Sequence, residues 1–126
     1  MNLILPKGDD GTVPRTAMPQ IHDGDIGALL AYLGSLGVTF DAGLIDPTKV
    51  TAHQKIDTDI AMSIPDAVLR SPVLLSKDPA IIDGDHRWYR HLLLKRMMPF
   101  IRLNEDFNTS LQLIFSFPAT TRSTRL

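Results

Sequence analysis

The chain has 126 residues and a mass of 14.0 kDa, which is one domain at roughly 150 residues per domain. It is 44% hydrophobic, enough for one ordinary core, and has no cysteine, which excludes a disulfide framework, a thiolate zinc site, an iron–sulfur cluster and a cysteine nucleophile. The net charge is -1, yet residues 1–85 carry 6 basic and 12 acidic side chains while residues 86–126 carry 7 and 2.

No apolar run approaches the ~20 residues that span a bilayer. The start, Met1 to Pro6, lacks the basic residues and long apolar stretch of a signal peptide. A cytoplasmic protein with no membrane segment is the expectation. The basic C-terminal third suits an anionic partner such as phosphate or nucleic acid, and equally suits a solvated surface.

Residues 1–20 read as an N-terminal arm, punctuated by Pro6, Gly8, Gly11, Pro14 and Pro19. Asp23 or Asp25 can cap a helix that runs to Leu36. Ile26, Leu29, Leu30 and Leu33 form its apolar stripe, and Gly37 stops it. Residues 38–45 read as a strand that Pro47 ends. Val50 to Ile56 is either strand or extended loop. Asp57 to Ile64 predicts one or two helical turns, and Asp66 to Arg70 a further turn.

Pro72 to Ser76 reads as a buried strand. Asp78-Pro79 marks a tight turn, and Ile81 to Asp83 is the returning strand. After Gly84 a helix is expected from Asp85 to Met97, closed by Pro99. Phe100 to Leu103 and the apolar run Leu111 to Phe117 read as strands. Residues 21–117 thus form one domain, and residues 118–126 a basic tail. Strands and helices mix without βαβ alternation, which predicts an α+β fold.

The junction from Ile81 to Arg90 carries the strongest chemical signal. The first amides of a helix lack internal acceptors, and the helix dipole adds positive charge there. A strand that enters a helix through Gly84 therefore makes an anion site. On a wheel of about 100° per residue, His86, Arg87 and Arg90 lie on the polar side. Guanidinium groups suit phosphate through their forked donors. A purely structural reading stands beside this one. Asp85 can be a helix cap, and Arg87 and Arg90 can pair with Asp83 and Asp85. Trp88 reads as core, and His91 as surface.

The segments Pro72-Val73-Leu74-Leu75 and Ile81-Ile82-Asp83-Gly84-Asp85-His86-Arg87-Trp88 resemble the ParB/sulfiredoxin superfamily. Its members pair a PVLV-like strand with an I-DG-HR or GERR start to a helix. Upstream, Ile45-Asp46-Pro47 and Gln54-Lys55-Ile56-Asp57 resemble the family's first box, a P-x-Q pattern in which His53 stands near Gln54. The resemblance covers residues 44–103 and points to the stand-alone ParB-like nuclease domains of bacterial and phage genomes. It implies a small mixed sheet with flanking helices. It also implies a nucleotide or phosphate, commonly with Mg²⁺, held by Gly84, Asp85, His86 and Arg87, with Arg90 in support.

Sulfiredoxin chemistry needs a cysteine in this loop, which the chain lacks. Gly84-Asp85-His86-Arg87 replaces the GERR box of the chromosome-partitioning members, and 126 residues leave no room for their DNA-binding and dimerisation domains. If the domain is catalytic, Asp83 and Asp85 are the candidates to hold Mg²⁺, and Asp57, Asp59 or His53 is the candidate base. Phosphoryl transfer, NTP hydrolysis and nuclease action all fit that set. Asp57 is otherwise a helix cap. The histidines offer no metal pattern, since His86 and His91 sit about 140° apart on a helix. The alternative is a non-catalytic module that binds protein or nucleic acid. Convergence of a first-box Asp or His with Asp83 or Asp85 separates the two readings.

Overall fold

The structure is a computed structural model that describes residues 18–54 and 56–122. It is α+β. Strands β2 (Phe40–Ile45), β3 (Val73–Leu75), β4 (Ile81–Asp83) and β5 (Met98–Leu103) form one mixed sheet in the order β2-β5-β3-β4. β2 runs antiparallel to β5, β5 parallel to β3, and β3 antiparallel to β4. A separate two-stranded ribbon pairs β1 (Pro19–Gln20) with β6 (Thr121–Arg122). The ends of the described chain therefore meet, so the arm and the tail expected from sequence each contribute a strand.

Period-two alternation in the short strands sends successive side chains to opposite faces. Leu74, Ile82, Ile101 and Leu103 face helices α1 (Ile26–Ser35) and α4 (Phe107–Ser116), which bury Leu29, Leu33 and Ile114 there. Val73, Leu75, Ile81, Met98 and Phe100 face α3 (Asp85–Leu94), which buries Trp88 and Leu92 there. The sheet is thus the middle of three layers. Each fully buried aliphatic side chain contributes about 2 kcal/mol of apolar burial.

Local chemistry sets the helix ends. Gly37, at φ +81°, stops α1, and Val38 N–H donates to Leu33 O at 3.0 Å. Asp57 caps the short α2 (Thr58–Ser63), its Oδ1 accepting from Asp59 and Ile60 N–H. Asp106 caps α4 by accepting from Thr109 N–H at 2.7 Å. That bond, with a second from the Thr109 side chain, holds the Asp106 carboxyl below its ordinary range.

Two expectations are corrected. Leu111 to Ser116 is helical, not strand, and Phe117 follows as the C-cap. α4 buries Ser110 and Ile114, four apart as one helix face requires, and the C-cap Phe117 is buried beyond them. The Asp106 cap starts that helix upstream of the apolar run. α3 ends at Leu94 rather than Met97, because Lys95 takes the left-handed conformation at φ 53°. Pro99 consequently lies inside β5, opposite Leu44 of β2. There the pairing with β3, which starts at Phe100, has not yet begun. Of the two readings for the segment after Val50, the loop holds over Val50 to Gln54, with a single bridge from Thr51 to Ala80.

Candidate functional site

β4 ends at Asp83, the chain turns at Gly84, and α3 begins at Asp85. Gly84 adopts φ 111° and ψ 26°, a left-handed conformation open to glycine. A Cβ there would lie 2.9 Å from Arg87 Nη2 and 3.1 Å from Val73 Cγ2. The helix ladder opens with Trp88 N–H on Gly84 O at 2.9 Å. The amides of Asp85, His86 and Arg87 precede that bond and have no acceptor within the helix.

These amides border a cleft of about 220 Å³ lined by Gln54, Asp83, Gly84, Asp85, His86 and Arg87. Met18, Ile60 and Ile64 supply an apolar wall. The structure thus brings together most of the junction residues singled out from sequence. Asp83 Oδ2 accepts from Ile21 N–H at 3.0 Å. Burial pushes the Asp83 carboxyl up, against the pull of the Ile21 N–H and the nearby Arg87 charge. Asp85 is buried at the first helical position. Gly84, not Asp85, is the N-cap. Arg87 is half-buried and extends Nη1 to Pro72 O at 3.4 Å. His86 Nε2 accepts from Asp57 N–H at 3.1 Å, which places the proton of the neutral ring on Nδ1.

Arg90 sits elsewhere. Its Nη1 donates to Ala61 O at 3.1 Å and Ile64 O at 3.0 Å, and its Nη2 lies 3.6 Å from Asp66. It closes the C-terminal end of α2 rather than the cleft. Its ion pair runs to Asp66, a partner the sequence reading did not name. Asp57 is exposed and engaged as a cap, and the His53 ring packs on Phe107 at 4.9 Å. Neither lines the cleft.

Gln54 is the residue that sequence reasoning left without a role. It is only 4% exposed, lines the cleft, and has no hydrogen-bond partner for Nε2 among the described residues. Its signal was the P-x-Q spacing. A buried amide donor without an acceptor costs about 1–3 kcal/mol. Among the described residues no group of three His, Asp or Glu side chains can hold a metal ion. Asp83 and Asp85 are the carboxylates on the cleft.

His91, expected at the surface, is 5% exposed. It faces the core and its Nε2 bonds Leu69 O at 3.0 Å, so the neutral ring carries its proton on Nε2. Burial lowers its pKa from 6.5, Arg96, Arg87 and Arg90 add to that, and the Leu69 carbonyl opposes it. The unfolded chain then takes up a proton below pH ~6.5 that the fold resists, and stability falls as pH drops from about 7 to 5. His91→Gln keeps a donor for Leu69 and is expected to flatten that slope in melts across this range. An unchanged slope assigns the acid sensitivity to another group.

No helix among the described residues is long and apolar enough to cross a membrane. No family model and no curated protein matches the chain. Among solved structures it is similar to a pNOB8-like ParB N-domain, with a TM-score of 0.42 and 16% identity. The alignment covers 64% of this chain and 35% of that one.

Proposed function

We propose that this domain binds the phosphates of a nucleotide at the Gly84 junction, as a binding module rather than a catalyst. Gln54 carries the reading: a buried amide donor with no partner for its Nε2 among the described residues lines the same cleft as the N-terminus of α3. Arg87 adds a cation, and the helix dipole adds to it. The apolar wall suits the rest of a nucleoside. The sequence resemblance to stand-alone ParB-like domains agrees with this ligand class.

Asp83 and Asp85 oppose a bare anion in the same cleft. Two carboxylates match the small number that Mg²⁺ takes when phosphate oxygens complete its shell. Asp83 and Asp85 would hold an ion brought by the nucleotide, and it would neutralise phosphate charge there. Turnover has less support, because the candidate bases His53 and Asp57 stand outside the cleft.

The test is a thermal-shift series with ATP, CTP, GTP, ADP and pyrophosphate, with and without Mg²⁺. Ligand at 100 times its Kd stabilises by about 2.7 kcal/mol. Stabilisation by at least one nucleotide is expected in the wild type. It should be lost in Arg87→Ala and in Gln54→Leu, each compared with its own ligand-free melt. No stabilisation by any ligand overturns the reading and redirects the search to protein or nucleic-acid partners.

A further inference from the structure

β2 is an edge strand: the sheet order β2-β5-β3-β4 leaves its outer side without a strand among the described residues. The other edge is protected. β4 is short, Ala80 just before it bridges Thr51, and the Ile21 N–H beside β1 bonds Asp83 at its end. The β1–β6 ribbon, where both ends of the described chain meet, lies on that side. β2 has no such cover.

The ladder fixes which groups this edge offers. Asn104 N–H donates to Thr39 O at 2.9 Å, in register with the pairs Phe40 to Leu103 and Asp41 to Arg102. Hydrogen-bonded pairs alternate with non-bonded pairs along an antiparallel ladder. Thr39, Asp41, Gly43 and Ile45 therefore direct their N–H and C=O to β5, whereas Phe40, Ala42 and Leu44 point theirs outward. No other backbone group among the described residues takes up those bonds. The side chains of the same three residues share the face of Ile101 and Leu103. There Phe40 is 43% and Leu44 64% exposed.

We propose that β2 pairs antiparallel with β2 of a second copy of this chain, about a two-fold axis at Ala42. This register sets Ala42 against Ala42 of the copy, and Phe40 against Leu44 in both directions. Each outward N–H and C=O then meets one from the copy, and the exposed ring and leucine cover each other. On the opposite face Asp41 falls across from Gly43, so no like charges stand directly opposite, and Asp41 keeps Arg102 at 2.9 Å. The strand thus matches itself in hydrogen bonding, apolar pairs and charge, which commits the edge to a second copy. Edges of monomers are commonly blunted by lysine, proline or a bulge. Phe40–Ile45 contains neither lysine nor proline and pairs with β5 in one continuous register. The Gly84 cleft uses none of these residues, so the dimer and nucleotide binding stand or fall separately.

Sedimentation velocity over a concentration series tests it, and the wild type is expected to dimerise reversibly. Leu44→Lys removes both apolar pairs. Ala42→Pro removes the central outward donor without deleting a bond to β5. Each should weaken association roughly tenfold or more, with the far-UV circular dichroism of a folded chain. The protein has no cysteine, so a single one reports the register. Ala42→Cys should cross-link to its copy under mild oxidation, because bonded antiparallel partners have Cα atoms about 5.5 Å apart. Phe40→Cys should not, since its copy lies about 14 Å away. A dimer that neither Leu44→Lys nor Ala42→Pro weakens, or a cross-link through position 40 but not 42, overturns the proposal. A monomer at every concentration also overturns it and opens the edge to a strand of another protein.

Discussion

Trp88→Ala is expected to lower the unfolding free energy by about 4 kcal/mol, a fall in Tm of roughly 15 °C for a chain of this size. Trp88 is fully buried among Val50, Val73, Ile81, Leu92 and Met98. Truncation leaves a cavity that these neighbours, fixed in strands and helix, cannot fill. The indole Nε1 also donates to Pro47 O at 2.8 Å. Pro47 is itself buried, so its carbonyl loses its partner as well. Trp88→Phe separates the two contributions, because it keeps most of the ring volume and removes the donor. It should cost about 1–2 kcal/mol. Far-UV circular dichroism in urea is the right readout, since the chain has a single tryptophan and the substitution removes the fluorophore. A loss below 1 kcal/mol for Trp88→Ala would place the indole outside the core.

Gly84→Ala should destabilise by about 2–3 kcal/mol. The left-handed φ of 111° costs a side chain about 1–2 kcal/mol. The new methyl then meets Arg87 Nη2 at 2.9 Å and Val73 Cγ2 at 3.1 Å. Arg87 can swing away, but Val73 is fully buried in β3. The double variant Gly84→Ala/Arg87→Ala tells the causes apart. If the guanidinium contributes to the clash, the double variant loses less than the sum of the single losses. Nucleotide stabilisation should vanish in Gly84→Ala even where the fold persists, because Arg87 and the start of α3 shift together. A Gly84→Ala protein as stable as wild type would remove the close-approach argument.

The elements with local signatures were legible in the sequence. The strand pair around Asp78-Pro79, the Gly84 turn and the helix after it are each announced within a few residues. Gly37 marked the end of α1 for the same reason. Leu111 to Phe117 misled because a dense apolar run hides its period, and the deciding residue, Asp106, lies outside it. The β1–β6 ribbon joins residues about a hundred positions apart, a separation at which no local pattern speaks.

The candidate cleft was legible in part. Gly84 and its flanking residues declared themselves by type and order. The fate of the basic side chains did not. Arg87, Arg90 and His91 look alike to composition, yet in the fold Arg87 keeps one edge on the cleft while Arg90 and His91 face backbone carbonyls. Gln54 carried no charge to draw notice. Its position became meaningful once the cleft placed it near α3.

The bonds of α3 share one property. Arg87, Trp88, Arg90 and His91 engage the carbonyls of Pro72, Pro47, Ala61 with Ile64, and Leu69. His86 accepts the amide of Asp57. Each of these hydrogen-bond partners is main chain, present whatever side chain a residue carries, and the Arg90 ion pair with Asp66 stands beside them. The helix therefore grips residues 47–72 by their course through space and not by their identity. Tolerance to substitution should be lopsided: strict at the gripping positions of the helix, permissive along the exposed part of the segment it holds. Such a segment is free to change its outward surface while the cleft beside it keeps its shape.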